Sequence, residues 1–136
     1  MKNGKIIGYT SGVYDMFHIG HLNVIKRAKQ QCDYLIVGVT TDELCYKRKQ
    51  KMPIINFSDR CKIVESIRYV DQVIPQENMN KINVIKKYHV AVVFVGSDWQ
   101  GTSSWNEYEK EFAKYDAKVA YLSYTDGISS SILRKK

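Results

Sequence analysis

Two histidines three residues apart, His18 and His21 in the stretch DMFHIGHLNVIKRAK, stand where a turn gives way to a basic amphipathic helix. At i and i+3 both imidazoles project the same way from the first helical turn, where each can donate a hydrogen bond to a phosphate oxygen. The helix N-terminus adds free backbone N–H groups and a partial positive charge, and Gly12 and Gly20 let backbone close on a ligand. Two other uses compete. The pair could only cap the helix, or it could bind zinc, but zinc needs a third protein ligand and only His89 and scattered carboxylates or thiols remain, at no helpful spacing. The glycine spacing and the strand-to-helix setting favour phosphate, with no metal ligands assigned.

Two further stretches suit the same chemistry. KRKQK supplies Lys47, Arg48, Lys49 and Lys51 next to Asp42, and basic side chains there can close over a polyphosphate. A solvated basic loop is the plain alternative. Nucleic-acid binding is a third reading, but no helix-turn-helix, zinc finger or aromatic RNA-binding pattern accompanies the charges. In YTDGISSS, Gly127 permits a tight turn, and Ser129, Ser130 and Ser131 place hydroxyls and N–H groups at a helix start, a second anion cradle. Two such helix starts in one small domain fit a polyphosphate ligand better than either fits alone.

Positioning these residues requires alternating strands and helices. KIIGYT reads as a strand, residues 11–17 as a loop, and residues 19–32 as a helix with Leu22, Ile25 and Ala28 on one face. DYLIVGVTT is a second strand. DELCYKRKQKMPIINF reads as a polar, basic loop, because Pro53 argues against continuous helix. Ser58 or Asp59 caps a helix running to about Val70 with Ile63, Val64 and Ile67 inward. DQVIP follows as a brief strand, then NMNKINVIKKYH as a helix with Asn78 as its cap, then VAVVFVG as an unbroken apolar strand of the kind covered on both faces. SWNEYEKEFAKY is a helix with Trp105, Tyr108 and Phe112 on one side, AKVAYLS the last strand, and SSSILRKK a terminal helical turn or two.

This alternation predicts a Rossmann-like α/β fold, a five-stranded parallel sheet with right-handed crossovers and helices on both faces. In such sheets ligands bind beyond the carboxyl ends of the strands, where the strand order reverses. Each chemically suggestive segment follows a strand: 12–21 the first, 42–51 the second, 96–99 the fourth and 124–131 the fifth. All four should converge on one edge.

The whole chain agrees with this picture. Its 136 residues make one ordinary domain, and 44% hydrophobic with 26% charged residues is the balance of a globular protein rather than a disordered one. The apolar runs are strand-sized, far short of a bilayer crossing, and no signal-peptide pattern opens the chain, so a cytoplasmic protein without membrane insertion is expected. Three cysteines at irregular spacing suggest reduced thiols. A net charge of +7 points to an anionic partner without saying which.

Taken together, GVYDMFHIGHLNVIKRAK, DYLIVGVTTDE, RCKIVESIRYVDQVIPQEN, VGSDWQG and TDGISSS resemble the cytidylyltransferase family of nucleotidyltransferases over nearly the whole chain and in unbroken order. The closest likeness is to its bacterial members that act on glycerol 3-phosphate. The HxGH element, the RYVD stretch, the GxDW loop and the terminal GIS element are all present. Class I aminoacyl-tRNA synthetases share the HIGH tetrapeptide but need a larger body and a KMSKS loop, which KMP does not replace.

The resemblance implies transfer of CMP from CTP, carried with Mg²⁺, to a phosphorylated alcohol, glycerol 3-phosphate first, without nucleic acid and in a homodimer that meets at RYVD. By it, His18, His21, Lys51 and Arg60 are the catalytic set. The nucleotide lies among Gly12, Val13, Tyr14, Gly96, Asp98, Trp99, Tyr124, Thr125, Gly127, Ile128, Ser129, Ser130 and Ser131. The acceptor lies among Asp15, Asp42, Lys49, Lys51 and Arg68. Lys51 and Lys49 both remain candidates for the α-phosphate, because the loop is one residue longer than the family's. Tyr124 stands where the family has arginine, Val13 and Tyr14 where it has threonine and phenylalanine, and Ser97 where the nearest members have aspartate. Other phospho-alcohols, AMP transfer, or nucleotide binding without turnover are the alternatives.

Overall fold

The computed structural model describes residues 5–122. Strands β1 (Ile7–Gly12), β2 (Tyr34–Thr40), β3 (Gln72–Gln76), β4 (Val92–Gly96) and β5 (Lys118–Leu122) form one sheet, all pairs parallel, in the order β3-β2-β1-β4-β5. Helix α1 (Ile19–Gln30) joins β1 to β2, α2 (Asp42–Lys49) and α3 (Phe57–Glu65) join β2 to β3, α4 (Ile82–Tyr88) leads to β4, and α5 (Ser103–Ala113) leads to β5. The expected parallel sheet is present, and its order reverses between β1 and β4, which opens a crevice at their carboxyl ends.

Strand β2 explains why its sequence lacks polar alternation. Leu35, Val37 and Val39 join one core with Ile25 and Ala28 of α1 and Val64 of α3, while Ile36 joins the other with Ile85 of α4 and Phe112 of α5. Both faces are covered, so consecutive positions must be apolar. Ile25, Val64 and Val93 are wholly buried, each contributing about 1.5–3 kcal/mol of transfer free energy. Among the described residues no helix is long and apolar enough to cross a membrane.

The linker after β2 departs from expectation. Residues 42–49 form a helix rather than a loop, with the Thr41 hydroxyl accepting from Leu44 N and a left-handed Gln50 closing the end. Asp42 and Glu43 occupy its first turn and Lys47, Arg48 and Lys49 its last, each sign favourable to the helix dipole. Pro53 lies beyond the cap and breaks nothing.

Helix α3 is shorter than expected, ending at Glu65, and its cap is Asn56, whose side chain accepts from Asp59 N. Val64 faces inward as expected and Ile67 packs at the margin of that core, but Ile63 is 40% exposed. Asn78 does not cap α4; its carbonyl accepts from Asn80 N, and that of Asn80 from Ile82 N. The first strand runs on through Gly12. The expected helix at residues 129–136 lies outside the described residues.

Candidate active site

The turn between β1 and α1 is tight. Tyr14 and Met16 both take left-handed backbone, φ 55° and 48°, at a cost of about 1–3 kcal/mol each for a residue with a side chain. At Tyr14 burial of the ring offsets that cost. The ring lies under Gly12, where an added Cβ would stand 3.1 Å from it, so glycine is what lets strand and turn pack together.

His18 and His21 cap α1 with their own rings. Gly20 N donates to His18 Nδ1 at 3.0 Å, and His18 N donates to His21 Nδ1 at 3.3 Å. A nitrogen that accepts from a backbone N–H carries no proton, so each neutral ring holds its hydrogen on Nε2. Capping and phosphate binding are therefore compatible in kind: Nδ1 serves the helix, and the ring's hydrogen sits on Nε2. The rings stack with centroids 3.9 Å apart, and Tyr14 and Phe17 flank His21 at 5.4 and 5.2 Å. Burial, with the neighbouring His18 adding to it and Asp15 opposing, lowers the pKa of His21 to about 4. It is a neutral hydrogen-bond donor at pH 7.

Asp15, Asp42 and Arg60 form the frame beneath. The two Asp15 oxygens accept from Ile54 N and Ile55 N, both at 2.9 Å, which ties the loop after α2 to the turn after β1. Arg60 is wholly buried. Its guanidinium donates to Val13 O and Thr40 O at 2.7 Å, to Ile55 O at 2.9 Å and to the Asp42 carboxylate, whose other oxygen accepts from Phe57 N. Expected among the catalytic residues, Arg60 instead joins the ends of β1 and β2, the start of α2 and the loop before α3, making it a positioning residue. Asp15 and Asp42, expected beside the acceptor, likewise have their oxygens engaged by the protein.

A cleft of about 660 Å³ crosses the carboxyl ends of β1 to β4. Arg48, Lys49 and Lys81 supply its charge, while Trp99, Trp105 and Tyr108 give it an aromatic side. Of the four segments expected at one edge, the cleft brings together Gly12 and Val13 of 12–21, Cys45, Arg48 and Lys49 of 42–51, and Trp99 of 96–99; His18, His21 and Lys51 are not among its walls, and 124–131 lies outside the described residues. Trp99 ends a single 3₁₀ turn, Ser97–Trp99, directly after β4, and is 48% exposed, free to stack on a base. Asp98 lies in the same turn and Gly96 closes β4. Lys49 lines the cleft from the last turn of α2, whereas Lys51 follows the left-handed Gln50 in the exposed loop.

Sequence reasoning missed Lys81. It is 8% exposed, its Nζ 5.6 Å from the Trp105 ring centroid, and burial followed by the charge of Arg48 lowers its pKa to about 8. A buried lysine with no carboxylate partner among the described residues, facing a cleft, is poised for an anion. Its position just beyond the carboxyl end of β3 was the available signal, hidden because the residue also fits a helical pattern.

Arg68 corrects an expectation. It stands between the end of α3 and the start of β3, at the opposite edge of the sheet, where Asp71 accepts from Leu35 N and pairs with Lys29. Its guanidinium lies over the Tyr69 ring. Within one chain it does not reach the cleft. Tyr124, Thr125, Gly127, Ile128, Ser129, Ser130 and Ser131 lie outside the described residues.

Comparison with known proteins agrees with this geometry. Residues 9–136 match the family model described as cytidylyltransferase-like. The glycerol-3-phosphate cytidylyltransferase of Bacillus spizizenii is 39% identical, over 96% of this chain and 95% of its own. That of Staphylococcus aureus is 38% identical over 93% and 91%. In fold the chain is similar to a lipopolysaccharide core biosynthesis protein from Thermoplasma volcanium, with a TM-score of 0.74 at 23% identity, covering 90% of this chain and 98% of that one. A family match over most of the length, on a parallel sheet whose crevice gathers lysine, arginine and aromatic side chains, means that the chain belongs to the cytidylyltransferase-like family.

Proposed function

We propose that this chain transfers CMP from CTP to a phospho-alcohol, glycerol 3-phosphate first, releasing pyrophosphate and forming a CDP-alcohol. The observation that carries the reading is the His18 and His21 pair, stacked at the start of α1 with both Nδ1 atoms accepting from backbone N–H groups, which puts each neutral ring's hydrogen on Nε2. The names of the two bacterial relatives, matched over more than 90% of each chain, support glycerol 3-phosphate as acceptor.

An oxygen of the acceptor phosphate attacks the α-phosphorus in line, a bond to that phosphorus forms, and the bond to the pyrophosphate oxygen breaks. A phosphate is already nucleophilic at neutral pH, so no protein base has to create the nucleophile. Positioning and neutralisation of developing charge supply the catalysis. His18 and His21 donate to the phosphate oxygens, with the neutral His21 acting as a fixed dipole. Lys49, Lys51 and Arg48 neutralise charge from the α2 side, and Trp99 and Asp98 hold the nucleoside from the β4 side. Lys81 meets the acceptor phosphate. Mg²⁺ enters with the triphosphate as part of the substrate. The described residues offer it no cluster of three ligands, and Asp15 and Asp42 already have both oxygens engaged.

The reading places the chain in the cytoplasm, where CTP is made, and as a homodimer. Its seam in this reading is RYVD, as the family resemblance implies, where Arg68 is exposed. Light scattering on purified protein measures that mass. Pyrophosphate release with CTP, ATP, GTP and UTP, followed by mass spectrometry of products from a phospho-alcohol pool, tests the activity. CDP-glycerol formed with CTP alone is the expected result, and CTP binding without any product overturns it.

A further inference from the structure

We propose that Cys45 is a positioning residue for the transfer step: its thiol, by donating to the Lys51 carbonyl, holds the lysine-bearing loop after α2 at the rim of the cleft. The inference rests on the CMP-transfer reading and adds to it the side chain that fixes the reach of Lys51.

Cys45 belongs to the cleft and to the loop at once. It is 5% exposed and forms part of the cleft wall, one helical turn before Arg48 and Lys49. Its Sγ stands 3.6 Å from Lys51 O and donates to it. Sulfur is a weak donor, so this bond is a modest tether. Its weight comes from how little else holds the main chain there.

Two anchors flank the loop. Gln50 takes left-handed backbone, φ 56°, and its N donates to Tyr46 O at 2.7 Å, which closes α2. Further on, the Asp15 carboxylate receives Ile54 N and Ile55 N. Between them lie residues 51–53, where Pro53 has no N–H to give, and the thiol supplies the one hydrogen bond to this main chain among the described residues. The Lys51 side chain is exposed and is not part of the cleft wall. A bond at its own carbonyl is therefore what ties the lysine to that wall.

The space beside Cys45 is built for an anion. Arg48 and Lys49 line it, and so does Lys81, which is 8% exposed with no carboxylate partner among the described residues. In such a site a misplacement of about 1 Å in a positioning group costs about 10²-fold in rate. A tether too weak to decide folding thus decides where Lys51 meets the phosphates.

The test measures CMP transfer to glycerol 3-phosphate by the wild type, Cys45→Ser, Cys45→Val and Cys45→Ala, each also combined with Lys51→Met, at a temperature where urea midpoints show every variant folded. Serine keeps a donor, valine keeps bulk without one, and alanine keeps neither. Cys45→Val and Cys45→Ala should both lower kcat by about tenfold, part of the loss that misplacement brings, with the KM for glycerol 3-phosphate unchanged. Cys45→Ser should stay close to the wild type. Combined with Lys51→Met, none of the three should lower kcat further, because the lysine they position is gone. Wild-type kcat in Cys45→Ala, losses that follow side-chain volume rather than the donor, or an equal further loss in the Lys51→Met background overturns the tether and leaves the CMP-transfer reading in place. No transfer by the wild type overturns that reading. The bond is then read from tryptic cleavage after Lys51, which should be faster in Cys45→Val than in Cys45→Ser, and equal cleavage overturns it too.

Discussion

The imidazoles of His18 and His21 lie stacked at 3.9 Å, 26° from parallel, and the backbone N–H of His18 donates to the ring of His21. One ring orders the other, and both end in the same tautomer. The arrangement separates helix capping from chemistry in a single substitution. Asparagine is among the best N-cap residues, so His18→Asn keeps the cap and loses Nε2–H. We expect kcat to fall by about 10²–10³-fold, the loss seen on removing one transition-state donor, while the melting temperature stays close to wild type. Wild-type kcat in this variant would reduce the pair to a helix cap.

His21 also sets a pH dependence of stability. Burial holds its folded-state pKa near 4, against 6.5 for an ordinary histidine. Between those values the unfolded chain binds more protons than the folded one, so stability is fully present above about 6.5 and is lost as pH falls toward 4. His21→Gln cannot titrate. The difference in urea midpoint between wild type and His21→Gln should therefore change across this window and be flat above it.

Arg60 is predicted to matter for stability before it matters for chemistry. Replacing it with methionine strands the buried carbonyls of Val13, Thr40 and Ile55 and leaves Asp42 without its cation. Breaking a buried pair from one side costs about 3–5 kcal/mol. Urea unfolding of Arg60→Met should show a loss of that order. Arg60→Lys should recover part of the stability at most, because an ammonium cannot reproduce the planar fork. A stable variant with a selective loss of kcat would return Arg60 to the catalytic set.

The sheet was readable because strands covered on both faces must be apolar throughout, and runs such as YLIVGV and VAVVFVG have few other uses. The ligand edge followed from the alternation alone. Helix α2 was not readable for the opposite reason: of DELCYKRK only Leu44 and Cys45 are buried, so no apolar period announces it. Its stability comes from the Thr41 cap and complementary end charges. The role of Arg60 was hidden because three of its partners are main-chain carbonyls from residues distant in sequence, which side-chain types do not reveal. The His pair gave its chemistry through spacing, but the division of labour between Nδ1 and Nε2 needed the backbone.

Lys81 connects burial, charge and acceptor binding in one titration. Its pKa of about 8, lowered by burial and then by Arg48, leaves it mostly protonated at pH 7 and mostly neutral at pH 9. A neutral amine cannot attract an acceptor dianion, so the KM for glycerol 3-phosphate should rise as pH climbs through about 8 while the KM for CTP holds. Lys81→Met, which keeps the buried stem and removes the charge, should start with a raised acceptor KM and lose the pH dependence. The same depressed value means that the unfolded chain binds the extra proton between about 8 and 10.5, so wild-type stability gains from this group as pH rises through that interval. Binding should therefore weaken where folding does not, a divergence that initial-rate kinetics and urea midpoints at matched pH would read. An acceptor KM insensitive to pH in the wild type, with a Lys81→Met variant of equal affinity, would place the acceptor phosphate elsewhere in the cleft.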